Sequence, residues 1–440
     1  MNANRARHPA CARVALCVAL LLHIGVLAAG QGKIVSQGVA SIGADAWHRA
    51  GYDGTGVRVA VWDFGFYGYE DLLGAELPPR DRVVVKAFGL PITGVPGEAP
   101  EDAAHGTAVA EIVYDIAPGA TLYLVATDAE TDAVDALEWM LTESIDVVVA
   151  SIAVEGWCLD TGSSPFEPIL ERMRAAGILV VTSSGNEGQS HWRGAFVDRD
   201  GDGLHEFAPG DEWLAVELFE GETIDVILRW DDPCRPSPND YILRLLDRHG
   251  RVVAESDYDN AFDGPYEDLY DEAPRDGTYS LQIEKYGGSA DVVFDLVWAN
   301  GPDFEHAVRA GSVSFSEPAI SPNVLTVWSV NWKTFALEST SAGGPTPDGR
   351  IKPDLVAPTC VVTASYGGRP AEYREYECGF EGTSAAAPHV GGAAALVAQA
   401  FPGFSADEIQ AYLEDQAVDL GVPGKDNVYG AGRLRLPTPP

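Results

Sequence analysis

Basic side chains are scarce in this chain. Its 440 residues hold 29 Lys or Arg against 66 Asp or Glu, a net charge of −37, and only six of the 29 are Lys. That balance disfavours nucleic acid as a partner, because such affinity rests largely on neutralising phosphates with Lys and Arg. Anionic membrane surfaces are disfavoured for the same reason. Long apolar runs are also lacking: beyond residue 30 nothing approaches the ~18 uninterrupted apolar residues of a membrane-spanning helix. No cysteine pair has C-x-x-C spacing, so zinc and dithiol chemistry lack support. Internal repeats and low-complexity tracts are missing as well. What is present is an ordinary apolar share of 46% with 22% charged residues, enough for a packed core and unlike a disordered acidic chain.

The N-terminus reads as an export signal. Arg5, Arg7 and Arg13 precede an apolar run from Val14 to Leu27, and the small residues Ala28-Ala29-Gly30 follow. This is the layout of a cleaved secretory signal over residues 1–30, too short for a comfortable span. Its loss removes three Arg and no acids, leaving −40. A secreted or periplasmic protein, monomeric and without a membrane span, is expected. Four cysteines remain, Cys158, Cys234, Cys360 and Cys378, which allow three pairings. The favoured bond is Cys360–Cys378, which brackets one short Gly- and Tyr-rich loop, with Cys158–Cys234 by elimination; buried thiols are the alternative.

From Ile42 to about Val197, short β-branched runs (Val57–Trp62, Thr121–Ala126, Val147–Ile152, Ile178–Thr182) alternate with amphipathic stretches (Thr107–Tyr114, Thr131–Glu143, Pro168–Ala176). Strand–helix–strand repetition at this spacing predicts an α/β domain: a parallel sheet with helices on both faces, its chemistry at the carboxyl ends of the strands. The texture then changes. Residues 198–310 carry 28 acids against 9 basic residues, and helical periodicity gives way to strand-like runs at Ile224–Trp230, Tyr241–Leu246, Arg251–Ser256, Thr278–Lys285 and Asp291–Ala299. These predict an antiparallel β-sandwich. The α/β texture returns from Ser312, with a strand at Val324–Val330 and an Ala-rich helix after Ser384. The expected partition is residues 31–197 and 312–440 as one sheet domain, interrupted by a sandwich at 198–311.

Three residues in this frame carry chemistry. Asp63 ends the first buried strand, His105 opens the helix of His105-Gly106-Thr107, and Ser384 opens another in Gly382-Thr383-Ser384-Ala385. Each is placed to project into the cleft at the sheet's carboxyl edge. A serine hydroxyl is a weak nucleophile that needs an adjacent base, and an imidazole serves when a buried carboxylate fixes its tautomer. Singly, each residue has a structural reading: an Asx turn or helix cap for the Asp, an N-cap for the Ser. His389, inside the helix after Ser384, is read as packing, and His48, His191, His205, His249 and His306 have no such context.

The spellings around the three residues resemble those of the subtilisin-like serine proteases, and the order Asp…His…Ser is that of subtilisin itself. Three further blocks agree: Ser183–Gly188, Ile351–Pro358 and Tyr429–Leu434. The resemblance implies Asp63 as orienting acid, His105 as general base, Ser384 as nucleophile and Asn186 as oxyanion donor. It also implies that Ser151-Ile152-Ala153, with Gly185, bind the backbone of a protein or peptide substrate. Ala153 stands where the family commonly has Gly, which puts the shape of the specificity pocket in question, and Phe64 replaces a small polar residue. The family usually carries a pro-region, but only residues 31–62 separate the expected cleavage site from Asp63. Ile42–Ala50 reads as a helix of the core, so no removable folding propeptide is expected. A silent binding protein working through the sandwich is the alternative; an esterase is disfavoured because no G-x-S-x-G surrounds Ser384.

Asp198, Asp200 and Asp202 are spaced two apart and turned by glycine, with Glu206 beyond them. Hard oxygens at that spacing suit Ca²⁺, although Pro209 stands where an EF-hand requires Glu. Asp257, Asp259 and Asp263 form a weaker cluster. Arg229–Pro233, Asp240–Asp247 and Gly277–Leu281 resemble jelly-roll modules attached to secreted proteases.

Overall fold

The computed structural model describes residues 33–94, 103–128, 130–155, 164–233, 236–260, 264–289, 291–299, 301–366 and 378–440. The signal reading, Cys158, Cys234 and Asp263 therefore lie outside the described residues. Cys360 and Cys378 are joined.

The strands run in chain order as β1 (Arg58–Asp63), β2 (Val83–Phe88), β3 (Thr121–Thr127), β4 (Val147–Ala150), β5 (Val154–Glu155) and β6 (Leu179–Ser183). Then follow β7 (His191–Ala195), β8 (Leu214–Leu218), β9 (Thr223–Trp230), β10 (Asp240–Asp247), β11 (Val252–Ser256) and β12 (Tyr266–Glu272). The last are β13 (Gly277–Gly287), β14 (Val293–Trp298), β15 (Ser316–Glu317), β16 (Val324–Asn331) and β17 (Leu355–Thr359).

Seven of these form one sheet in the order β2-β3-β1-β4-β6-β16-β17, every neighbouring pair parallel. Alternation along β1 explains why both faces are apolar. Val59 and Val61 enter a core with the helices His105–Ile116 and Thr383–Ala400. Ala60 and Trp62 point the other way, to the core of the helices Glu130–Thr142 and Glu167–Ala175. Strands covered on both sides read as continuous apolar runs, as β1 and β4 do. The chain leaves β1 toward β3 on one side and returns to β4 on the other, so the strand order reverses there. The crevice of such a sheet opens outside the carboxyl ends at that reversal. Asp63, Ser151 and Asn186 all sit at or just past those ends.

A second pair of sheets, β11-β10-β13-β8 and β12-β9-β14-β7, is antiparallel throughout. They enclose their own core, centred on Trp192, Trp230, Tyr241 and Phe294. The first of these strands, β7, starts at His191, ahead of residue 198. It lies beside β14, the last, so the chain enters and leaves this unit through adjacent strands. The stretch Ile42–Ala50 does hold a helix of the core: Ala44–Arg49 follows Gly43, at φ 86°, and buries Ala44 and Trp47, and a second short helix, Gly38–Ile42, precedes it.

His205 sits in this second core, fully buried, against the rings of Trp192, Phe207 and Phe294 at 4.8, 4.9 and 5.4 Å. Its Nδ1 accepts the Val197 N–H at 3.1 Å. Burial pushes its pKa down from 6.5 to about 4. The native state therefore keeps it neutral while the unfolded chain protonates it, and stability is lost as pH falls from 6.5 toward 4. His205→Phe is expected to remove this penalty. Urea unfolding should show the variant gaining on the wild type by about 2 kcal/mol between pH 8 and pH 5; an unchanged difference would contradict the buried neutral imidazole.

Candidate active site

Asp63 is fully buried at the carboxyl end of β1. Its Oδ1 accepts the Phe64 N–H at 2.9 Å. The Nδ1 of His105 lies 3.0 Å from Oδ1 and 2.9 Å from Oδ2. An ionised carboxylate only accepts, so this geometry places the imidazole proton on Nδ1 and leaves the Nε2 lone pair for another proton. The close approach depends on Gly106: a Cβ there would lie 2.5 Å from the Gly65 carbonyl oxygen and 2.7 Å from the Asp63 Cβ. The Gly106 N–H instead donates to that carbonyl at 3.0 Å. Glycine after the histidine thus lets the helix start directly against the strand end.

Ser384 is the second residue of the helix Thr383–Ala400, one position further in than expected. Gly382, at φ 81°, makes the turn into it. The Ser384 hydroxyl points to the Ser151 carbonyl at 3.4 Å, and the Ser151 hydroxyl donates to the Ser384 carbonyl at 3.0 Å. These reciprocal contacts tie the serine to the segment after β4. The helices bearing His105 and Ser384 pack against each other, and Phe380, four residues before the serine, meets the His105 ring edge-on at 5.3 Å. Strand end and imidazole are thus in direct contact, and the helix that carries Ser384 packs against the helix that carries His105.

Asn186 follows β6. Its Oδ1 accepts the Thr383 N–H at 3.0 Å and the Thr383 hydroxyl at 3.1 Å. With the oxygen so occupied, the amide N–H₂ is left as a donor beside Gly382, at the start of the helix that carries Ser384. The Gly185 carbonyl accepts the Ala342 N–H at 3.0 Å and the Thr383 hydroxyl at 3.2 Å. Burial pushes the carboxyl of the neighbouring Glu187 upward. In the segment read as substrate-binding, Ser151 and Ile152 are buried and the Ile152 side chain belongs to the core under β4. Ala153 is partly exposed.

Other candidate residues fall elsewhere. His389 is fully buried, its Nδ1 2.7 Å from the Ala385 carbonyl and its Nε2 2.9 Å from the Ser36 hydroxyl; it packs, as the sequence indicated. Ile351–Pro358 and Tyr429–Leu434 prove to meet each other. Asp354 is held by Lys352 and Lys425, each at 2.8 Å, while the Ala431 N–H donates to its carbonyl at 2.8 Å. Both blocks brace the edge of the sheet.

The carboxylates of Asp198, Asp200 and Asp202 offer oxygens within 4.8 Å of one another. Their loop is shaped by its own backbone, Gly201 and Gly203 N–H donating to the two oxygens of Asp198 at 2.7 and 3.0 Å. Glu206 does not join them: it turns to Arg199, whose guanidinium it meets at 2.5 Å, and accepts the Gly210 N–H at 2.7 Å. Glu212 comes near instead; its carboxyl is pushed up by partial burial and by the charges of Asp202 and Asp200. Such a set of hard, mutually repelling oxygens fits a calcium ion. Sequence reasoning missed a second group, Asp211, Glu305 and His306, also within 4.8 Å, in which His306 Nε2 is 3.2 Å from Asp211. Of the weaker acidic cluster, Asp257 and Asp259 join no such group among the described residues.

Comparison with known proteins adds three findings. A Subtilase family model matches residues 264–432, the segment that carries Ser384. The chain is 29% identical to Bacillopeptidase F of Bacillus subtilis over 257 residues, covering 55% of this chain and 16% of that protein. It is 25% identical to Minor extracellular protease Vpr of the same organism over 449 residues, covering 90% and 52%. The chain thus spans about a sixth and about half of these relatives. Among solved structures, the Clostridium perfringens CspB protease superposes with a TM-score of 0.62 at 19% identity, covering 90% of this chain and 97% of that one, which establishes a shared fold.

Proposed function

For a chain that belongs with the subtilisin-like serine proteases, we propose that it hydrolyses peptide bonds of protein substrates through an acyl-enzyme on Ser384. The observation that carries this reading is the buried Asp63 facing His105 Nδ1 with both oxygens. A histidine fixed in that tautomer presents Nε2 as base. In the reaction the Ser384 hydroxyl turns from the Ser151 carbonyl to His105 Nε2 and its oxygen attacks the scissile carbonyl carbon. The proton passes to Nε2, and the imidazolium is stabilised by Asp63. The oxyanion accepts hydrogen bonds from the Asn186 amide and the Ser384 backbone N–H at the helix start. His105 then protonates the leaving amine, and water reverses the sequence to release the acid. Ser151–Ala153 hold the substrate backbone. Casein hydrolysis by the purified chain tests the reading; its absence would favour the silent scaffold.

The chain acts as an exported monomer after loss of residues 1–30, the antiparallel unit serving to stabilise or present rather than to react. Strand order supports a jelly roll: in the series β7 to β14, the first strand pairs with the last and the second with the seventh, as two nested Greek keys require. Calcium held by Asp198, Asp200 and Asp202 is structural, neutralising a loop that otherwise concentrates charge. The melting temperature is expected to rise with calcium, by the equivalent of about 2.7 kcal/mol at a hundredfold excess over Kd, and to lose that gain in the double variant Asp200→Asn, Asp202→Asn. Indifference to EDTA together with a rise in molar NaCl would assign the acidity to salt adaptation instead.

A further inference from the structure

Glu111 is the one acid in the otherwise apolar or hydroxylic run from Thr107 to Tyr114, and it is only 2% exposed. It lies six residues beyond His105 on the same helix. Its carboxylate accepts the Ala364 N–H at 2.5 Å, the Ser365 N–H at 3.0 Å and the Ser365 hydroxyl. These donors belong to a loop closed at its base by the Cys360–Cys378 bond and by reciprocal backbone bonds between Val361 and Phe380 at 3.0 and 2.7 Å. Within the loop, Thr363 and Tyr366 are paired: the Tyr366 N–H donates to the Thr363 hydroxyl at 3.0 Å, which donates to the Tyr366 carbonyl at 3.1 Å. The Tyr366 ring lies 5.1 Å from Phe380, and Phe380 meets His105 edge-on at 5.3 Å.

The contacts therefore form a closed circuit. It leaves the helix at Glu111, passes through the Ala364–Tyr366 backbone to Phe380, and returns to the same helix at His105. We propose that Glu111 is a positioning residue for the general base: by gripping the loop it seats Phe380 against His105 and limits where the imidazole can lie. Packing alone does not call for a carboxylate here. An apolar side chain would fill the volume, but it would leave two backbone N–H groups and a hydroxyl without their acceptor. Burial pushes the Glu111 carboxyl up to about 7, with Asp115 one turn further on acting in the same direction, while the three donors oppose them. The charge is thus kept in an unfavourable place by contacts whose far end is the His105 ring. A misplacement of a catalytic group by an ångström can cost on the order of 10²-fold in rate, which is the leverage this circuit has.

The inference rests on His105 acting as base, and its test separates the two. Glu111→Gln keeps the volume but sets an N–H₂ group against N–H donors. In the full chain it is expected to slow fluorophosphonate labelling of Ser384 and to lower kcat by roughly 10–100-fold, with KM for a peptide substrate unchanged. The nuclear Overhauser contact between the His105 and Phe380 rings should weaken. Phe380→Leu should give a comparable loss, and the double variant should fall no further than the worse single one, because both cut the same circuit. Losses that multiply would overturn the proposal, as would a Glu111→Gln chain that is labelled and turns over at the wild-type rate, or one whose ring contact is intact. A wild type that takes no label would reject the protease reading alone, while the ring contact in Glu111→Gln would still decide the role of Glu111.

Discussion

Ser384→Ala is expected to abolish casein hydrolysis while leaving the melting temperature of the chain close to that of the wild type. Among the described residues the serine exchanges two hydrogen bonds with Ser151, and only the long one through its hydroxyl is lost on truncation. Folding should barely register it. Catalysis should register it fully, because the proposed reaction runs through this hydroxyl. The magnitude known for subtilisin itself is roughly 10⁶ in kcat, with a residual rate from the oxyanion site and binding. Gel-based casein assays and a peptide substrate would both read it. A variant that retained more than a few per cent of the wild-type rate would place the nucleophile elsewhere.

The second large effect is expected from Asp63→Asn. The asparagine would keep an oxygen for the Phe64 N–H, which now donates to Oδ1 at 2.9 Å. Its amide nitrogen would then face His105 Nδ1, where a carboxylate oxygen stands at 2.9 Å. A donor in that place forces the imidazole into the other tautomer, with its proton on Nε2, and the base is lost although the geometry is kept. The expected fall in kcat is roughly 10⁴, the size seen for the corresponding change in another serine protease and for loss of the acid in subtilisin. KM should change little. A loss of only a few fold would mean that the Asp63–His105 contact is a structural hydrogen bond and that another group governs the base.

Much of this was legible in the sequence, for reasons that differ by element. β1 and β4 are buried on both faces, so their apolar runs stand out. The helix after Ser384 announces itself by its alanines, which let it pass close to the sheet and to the His105 helix. β12 was invisible: Tyr266-Glu267-Asp268-Leu269-Tyr270-Asp271-Glu272 is too acidic to read as a strand. Of its residues, Leu269 enters the core, while Glu267 is buried by hydrogen bonds with Ser256 and Asn260. Tertiary partners, not propensity, hold it. β7 was hidden because it follows the Asn186 loop almost directly and lies ahead of the shift to acidic composition that marked the new unit.

At the site, Asp63, His105, Ser384 and Asn186 stood out as candidates because each lies in a short local spelling. Glu206 was misassigned for the opposite reason. Its partner, Arg199, lies seven residues away within the same acidic loop, and only the fold shows that the pair closes. Glu111 lay inside a recognised block yet carried no signal of its role, since its partners at Ala364 and Ser365 are some 250 residues distant. Spacing along the chain reveals residues that act through their neighbours in sequence. It is silent on those that act through a loop arriving from elsewhere.

The most direct test is to incubate the purified chain with a general fluorophosphonate and locate the adduct by mass spectrometry. A single adduct on Ser384 is expected, formed slowly in Asp63→Asn and absent from Ser384→Ala. A wild-type chain that takes no label, or a Ser384→Ala chain that takes as much, would contradict it.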